Sequence, residues 1–226
     1  LPMRRDTVLS LFDRVRRDRP SMERFKRYSN ELALESRPSG PEGAYEWLAV
    51  RRTSVRSGSV NPESDRHAHD LHRVILASAP FYLDIPPLDI EHLEVLFGFD
   101  FLAAGNHDAI VFNALMAQSP LAAMLEGHTV AAVDFQPSLG IALNETCDLQ
   151  AFFEVKTRTS AAEVRSGDYR EEPISIYVIL RKQGPIGDIK QLPSVYDSLV
   201  VRAEELLDHR IVPNLLVPIR EAIAAG

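Results

Sequence analysis

The stretch Ala131–Thr159, AAVDFQPSLGIALNETCDLQAFFEVKTRT, decides the fold class. Val133, Phe135, Leu139, Ile141 and Leu143 alternate with small or polar neighbours. Leu149, Ala151, Phe153 and Val155 do the same against Gln150, Glu154, Lys156 and Arg158. Successive side chains of a strand leave opposite faces, so this period of two predicts two half-buried strands. The link Asn144-Glu145-Thr146-Cys147-Asp148 is polar and short enough to reverse the chain, which makes the pair an antiparallel hairpin. Pro137 cannot donate to a ladder and belongs at an edge, a bulge or the start of the first strand.

Working upstream, Ala79–Leu88 is stiffened by Pro80, Pro86 and Pro87 and leads into a strand whose odd positions, Leu93, Val95, Phe97, Phe99 and Phe101, are all apolar. Asn106 or Asp108 then caps a helix over Ala109–Met116 that is apolar nearly all round. Ser119-Pro120 restarts a short helical turn that Gly127 closes. Phe112, Leu115, Met116, Leu121 and Met124 are read either as core or as a surface for a client or a second copy, because Met and aromatic side chains suit adaptable apolar grooves.

Downstream, Ser160–Glu172 is a polar connection and Ile174, Ile176, Val178 and Leu180 mark a fourth strand. A final helix carries Val195, Leu199, Ala203 and Leu206 on one stripe, and Pro213 is expected to break or kink it. Beyond it Leu215, Leu216, Val217 and Ile219 exceed what one core stripe needs and are expected at an oligomer interface.

The head reads as helical. Val8, Leu11, Phe12 and Val15 fall on one stripe, and a second helix is expected after Pro20-Ser21 from Met22, Phe25, Tyr28 and Leu32. Ser36–Gly43 is loop, Ala44–Val50 is too short to type, and Thr53–Ser64 is expected to be a polar linker. The expected organisation is therefore α+β: a helical N-terminal extension with polar linkers over residues 1–88, then a four-stranded antiparallel sheet backed by helices over residues 89–226.

Composition narrows the function. The single cysteine, Cys147, excludes an intramolecular disulfide and any multi-cysteine metal site. No apolar run is long enough to span a bilayer and no charged-then-apolar signal segment opens the chain, so a cytoplasmic setting without membrane insertion is expected. Between Leu1 and Arg56 lie 13 basic and 8 acidic residues, and the remainder holds 12 and 24. No basic run is interleaved with aromatics, and no nucleic-acid partner is expected.

In SDRHAHDLHRVILASAP, helical spacing would put Asp65, His69 and His72 on one flank, a weak candidate metal site. Gly105-Asn106-His107-Asp108 and Gly127-His128-Thr129 are similar to calcineurin-like phosphoesterase signatures. Leu96–Asp100, however, supplies no Gly-Asp-x-x-Asp, and Val130 stands where that family has a second histidine. No set of nucleophile, base and oxyanion donors converges, so neither a catalytic residue nor a cofactor is expected. The enzyme alternative is a HotDog-like acyl-thioester hydrolase with Asp100, Gly105 and Asp108 flanking an acyl tunnel. A structural subunit or adaptor is the third alternative.

Asp134-Phe135-Gln136-Pro137, followed by its alternating strands, resembles the Trp-Gln-Pro strand entry of the SecB export chaperones. Pro213-Asn214-Leu215-Leu216-Val217-Pro218, with Arg220 and Glu221 after it, resembles that family's Pro-Asn-Ile-Leu-Phe-Pro segment. The resemblance covers roughly residues 93–226. It implies a four-stranded antiparallel sheet, a homodimer or homotetramer, and grooves that hold unfolded polypeptide without ATP. Phe135 stands at the family's groove aromatic, and Gln136, Pro137, Pro213, Asn214, Leu216 and Pro218 at structural positions. Phe135, Phe112, Leu115, Met116 and Met124 are the expected client-binding residues. The family's crossover loop is replaced here by the apolar helix, the basic head has no counterpart in it, and the tail that meets the SecA motor is missing before Gly226. Whether SecA is contacted is left open, and a dedicated chaperone or assembly adaptor that shares the fold is expected equally.

Overall fold

Val8, Leu11, Phe12 and Val15 are all buried along one side of helix α1 (Arg5–Asp18), while Arg16 and Arg17 in its last turn complement the helix dipole. In this computed structural model the described residues are 5–127 and 130–225. The chain divides into two compact units, residues 1–91 with 184–196, and residues 92–183 with 197–226. The segment 184–196 belongs with the first unit.

In the first unit four strands follow α1 in chain order: β1 (Met22–Arg27), β2 (Glu31–Ser36), β3 (Tyr45–Arg51) and β4 (Val55–Val60), all antiparallel neighbours. Helix α2 (Asp65–Tyr82) follows, its N-terminus capped by Ser64, which accepts from the backbone N–H of His67. The core lies on one face of the sheet, where Leu34, Leu48 and Val50 meet Leu11 and Phe12 of α1 and Leu71 and Ile75 of α2. Each of these larger side chains contributes about 2 kcal/mol by leaving water.

Two expectations for this region are corrected. The second head helix does not form, because Ser29-Asn30 is a hairpin turn closed by Tyr28 N–H to Glu31 O at 2.9 Å. Met22, Phe25, Tyr28 and Leu32 thus belong to two strands and a turn, and their helical spacing is coincidental. Thr53–Ser64 is no linker either: Val55–Val60 pairs with β3 at six positions. The reading failed there because Ser57, Gly58 and Ser59 have low intrinsic strand preference, which pairing overrides.

The second unit contains β5 (His92–Ala103), α3 (His107–Met116), β6 (Ser138–Ala142), β7 (Leu149–Lys156), the short α4 (Ala161–Ser166) and β8 (Glu172–Gln183). Its sheet runs β5-β8-β7-β6, antiparallel throughout. The hairpin of β6 and β7 is as expected, and β6 begins directly after Pro137, leaving Val133 and Phe135 ahead of it. Asp148 in the turn accepts from Lys182, Asn144 and Thr146, and these bonds, Lys182 first, hold its carboxyl far below the usual range. One sheet face is apolar: Ile174, Ile176, Val178 and Leu180 of β8 are fully buried between Ala151 and Val155 of β7 and the odd positions of β5.

Helix α5 (Leu192–Leu206) continues into a π-helical segment, Leu207–Leu216, and then α6 (Val217–Ala225). Pro213 therefore neither ends nor sharply breaks the helix. It has no N–H to give and would crowd the carbonyl four residues back, and the wider π turns relieve both problems. Asn214 Nδ2 donates to the Arg210 carbonyl at 2.8 Å.

Candidate functional site

The site is built from the first turn of α3. Gly105, at φ +123°, turns the chain out of β5, and Asn106 Oδ1 accepts from the backbone N–H groups of Asp108 and Ala109 at 3.0 and 3.2 Å. The two residues after this cap point inward and are almost wholly buried. His107 Nε2 lies 3.0 Å from the Ala103 carbonyl, and its backbone N–H donates to Thr159 Oγ1 at 2.8 Å. Asp108, only 1% exposed, accepts at Oδ1 from the Phe135 N–H at 2.8 Å and from Thr157 Oγ1 at 2.6 Å. Its other oxygen is buried with no hydrogen-bond partner among the described residues. One carboxyl thus ties the start of α3 to the segment entering β6 and to the segment leaving β7.

That tie fixes Phe135. Its ring meets Phe112 edge-on, with centroids 5.1 Å apart and planes at 72°. Phe112 is buried and Phe135 half-buried, and Phe135 lines a shallow, mostly polar depression together with Asp134, Gln136, Pro137 and Lys156. Leu115 and Met116 on α3 are half-buried, and Met124 is 72% exposed. In the same stretch of chain Leu121, Val130, Val133 and Leu139 are also exposed. An apolar stretch left in water to this extent marks an interaction surface more often than a solvated coil.

The expected interface residues lie mostly inside the unit. Leu216 and Ile219 are buried, Leu215 and Val217 are half-buried, and α6 packs along α3. The apolar excess of that segment thus closes the unit's own helical layer.

The metal candidates are not brought together. His69 Nδ1 is 2.6 Å from Tyr196 Oη, His72 Nδ1 is 2.8 Å from Ser57 Oγ, and Asp65 is exposed in the first turn of α2. Among the described residues no group of three or more His, Cys, Asp or Glu could hold a metal ion. Burial, then the neighbouring His69 and Arg19, push the pKa of His72 from 6.5 to about 4, so the ring is neutral at pH 7. The phosphoesterase-like motif fares no better, since His107 and Asp108 are engaged internally and His128 and Thr129 lie outside the described residues. Of the thioesterase candidates, Asp100 is exposed and accepts from Ser175 Oγ, while Asp108 faces no open space.

Sequence reasoning named Phe135, Phe112 and the cap, but not His107, Thr157 or Thr159 as the parts that hold them. Asn-His-Asp directly after a glycine and before an apolar helix was the available signal. Among the described residues no helix is long and apolar enough to cross a membrane. No family model matches the chain, and neither a curated protein nor a solved structure is similar enough to count as a match.

Proposed function

We propose that the second unit holds unfolded or partner polypeptide on the apolar surface around Phe135, as an ATP-independent chaperone or binding protein of the cytoplasm that works as a homodimer or homotetramer. The observation that carries this reading is the half-buried Phe135 side chain, backed by Phe112 and anchored through its backbone to buried Asp108. A rigid aromatic at the mouth of a depression binds an apolar side chain with little loss of its own freedom. Lys156 and Asp134 at the rim tolerate either charge beside that side chain. The resemblance to the SecB export chaperones supports the same role. A thioesterase would need a carboxylate open to substrate at the start of α3, and Asp108 is closed off there.

The test is suppression of aggregation of a chemically denatured protein, with release of thiol from an acyl-CoA as the parallel assay. The wild-type chain is expected to suppress aggregation. Phe135→Asp is expected to abolish this while leaving the far-ultraviolet dichroism unchanged. Suppression that survives the substitution would overturn the assignment of the site, and thiol release would overturn the reading as a whole.

A further inference from the structure

The main core cluster of the first unit lies on one face of its sheet, and the opposite face brings together residues from all four strands. Arg24, Glu35, Trp47 and Gly58 form one cross-strand row, and Lys26, Ala33, Ala49 and Arg56 form the next. A side chain at Gly58 would place its Cβ 2.5 Å from Trp47 Cε2 and Nε1, so the indole lies directly over the glycine. The glycine is what lets the ring lie against the sheet, and the half-buried indole keeps part of its surface open. Beside it Ala33 and Ala49, each 2% exposed, lie beneath the neighbouring side chains, with a cation at each end of their row.

The charges on this face are graded by height. Glu35 is held by Lys26 at 2.7 Å and Glu31 by Arg51 at 2.6 Å, and in both pairs the cation is the more exposed partner. The carboxylates lie beneath and the cations outside, and the Arg56 side chain reaches into solvent at the β4 edge. Four cations thus stand over two sunken carboxylates, around one aromatic plane.

We propose that this face binds single-stranded nucleic acid, with a base stacked on Trp47 and phosphates held by Arg24 and Lys26 at one edge and by Arg56 at the other. Strands sit about 4.8 Å apart, so the span from β1 to β4 is roughly 14 Å, wide enough for a nucleotide lying across it. Stacking on an aromatic plane flanked by cations is the physical means by which unpaired bases are held without regard to sequence. An acidic peptide could satisfy the cations but has no use for an indole laid flat, which favours the nucleic acid. Nothing in the linear order of residues hints at this face, because its basic and aromatic members come from separate strands and meet only through their register.

The test uses the full chain and a fluorescein-labelled oligothymidylate of about 15 nucleotides, within the site sizes such surfaces cover. Binding is expected at low salt, with quenching of the intrinsic emission of Trp47, the only tryptophan in the chain. Trp47→Ala should weaken binding by about tenfold or more, and Trp47→Phe by only a few fold, as expected for the loss or shrinkage of one stack. Should Trp47→Ala fail to fold by circular dichroism, the surface pair Arg24→Ala with Arg56→Ala decides: it should lower the slope of log affinity against log salt by about 0.7 for each phosphate that is no longer neutralised. No binding at low salt, binding without quenching, or a slope unchanged in the double variant would overturn the proposal. Displacement of the oligonucleotide by polyglutamate at equal charge would also overturn it and assign the face to acidic polypeptide.

Discussion

The two sheets of this chain each have four antiparallel strands, yet they hold an aromatic ring at the surface by opposite means. In the first, Trp47 lies on its own strand's neighbour, and the device is the missing side chain of Gly58. In the second, Phe135 lies outside any strand, and the device is a buried carboxyl that grips its backbone from a helix 27 residues earlier. The first arrangement follows from pairing of consecutive strands, whereas the second requires α3, the entry to β6 and the exit from β7 to assemble together. A local device is sensitive to bulk at one position, and a long-range one to the loss of a hydrogen-bonding group.

The largest expected effect is on the long-range device. Asp108→Ala leaves the part-buried Phe135 N–H and Thr157 hydroxyl without their acceptor and should lower stability by about 2–3 kcal/mol in urea denaturation. Asp108→Asn keeps an acceptor oxygen and should cost less than half of that. Equal losses for the two variants would break the comparison, because charge or volume, and not the pair of hydrogen bonds, would then be holding Phe135.

A change of similar size belongs to the first unit and depends on pH. His72 has its pKa lowered from 6.5 to about 4 by burial, His69 and Arg19. Between those values the unfolded chain binds more protons than the folded one, so stability rises with pH there. The contribution is fully present above pH 6.5, is lost as pH falls to about 4, and amounts to about 3 kcal/mol. His72→Gln should flatten that slope in urea titrations across the window. A slope unchanged by the substitution would assign acid sensitivity elsewhere.

The smallest effect compares two glycines. Gly58→Val must displace the indole, since its Cβ would meet Trp47 at 2.5 Å, and should cost about 2 kcal/mol with a shift in tryptophan emission. Gly140→Val on edge strand β6 would meet Phe152 at 3.0 Å, where a half-buried ring can give way, and should cost under about 1 kcal/mol. Matching thermal denaturation midpoints for the two variants would mean that Trp47 is no more constrained than Phe152.

Legibility in the sequence followed the strength of the local pattern as well as the distance of the partner. The strands of the second unit could be read because Leu139, Ile141, Ala151, Phe153 and Val155 alternate, and Pro137 marked where β6 starts. Asn106 could be read as a cap because the helix it starts is adjacent to it. The first unit's sheet could not be read, since its hairpin turn at Ser29-Asn30 fell inside a run with helical spacing and β4 is mostly small and polar. Nor could the role of Asp108, whose partners Phe135 and Thr157 lie 27 and 49 residues away. Leu216 and Ile219 looked like a surface because the apolar helix they pack along is remote in sequence. For Asp108, Leu216 and Ile219 the missing information was a distant partner, which composition and spacing do not carry.

The central claim is that the surface around Phe135 holds non-native polypeptide. Its most direct measurement is light scattering of the purified chain, alone and mixed with a slowly refolding polypeptide in its unfolded and native forms. The account predicts a discrete dimer or tetramer that takes up the unfolded chain in fixed stoichiometry and ignores the native one. A monomer that binds neither form would contradict it.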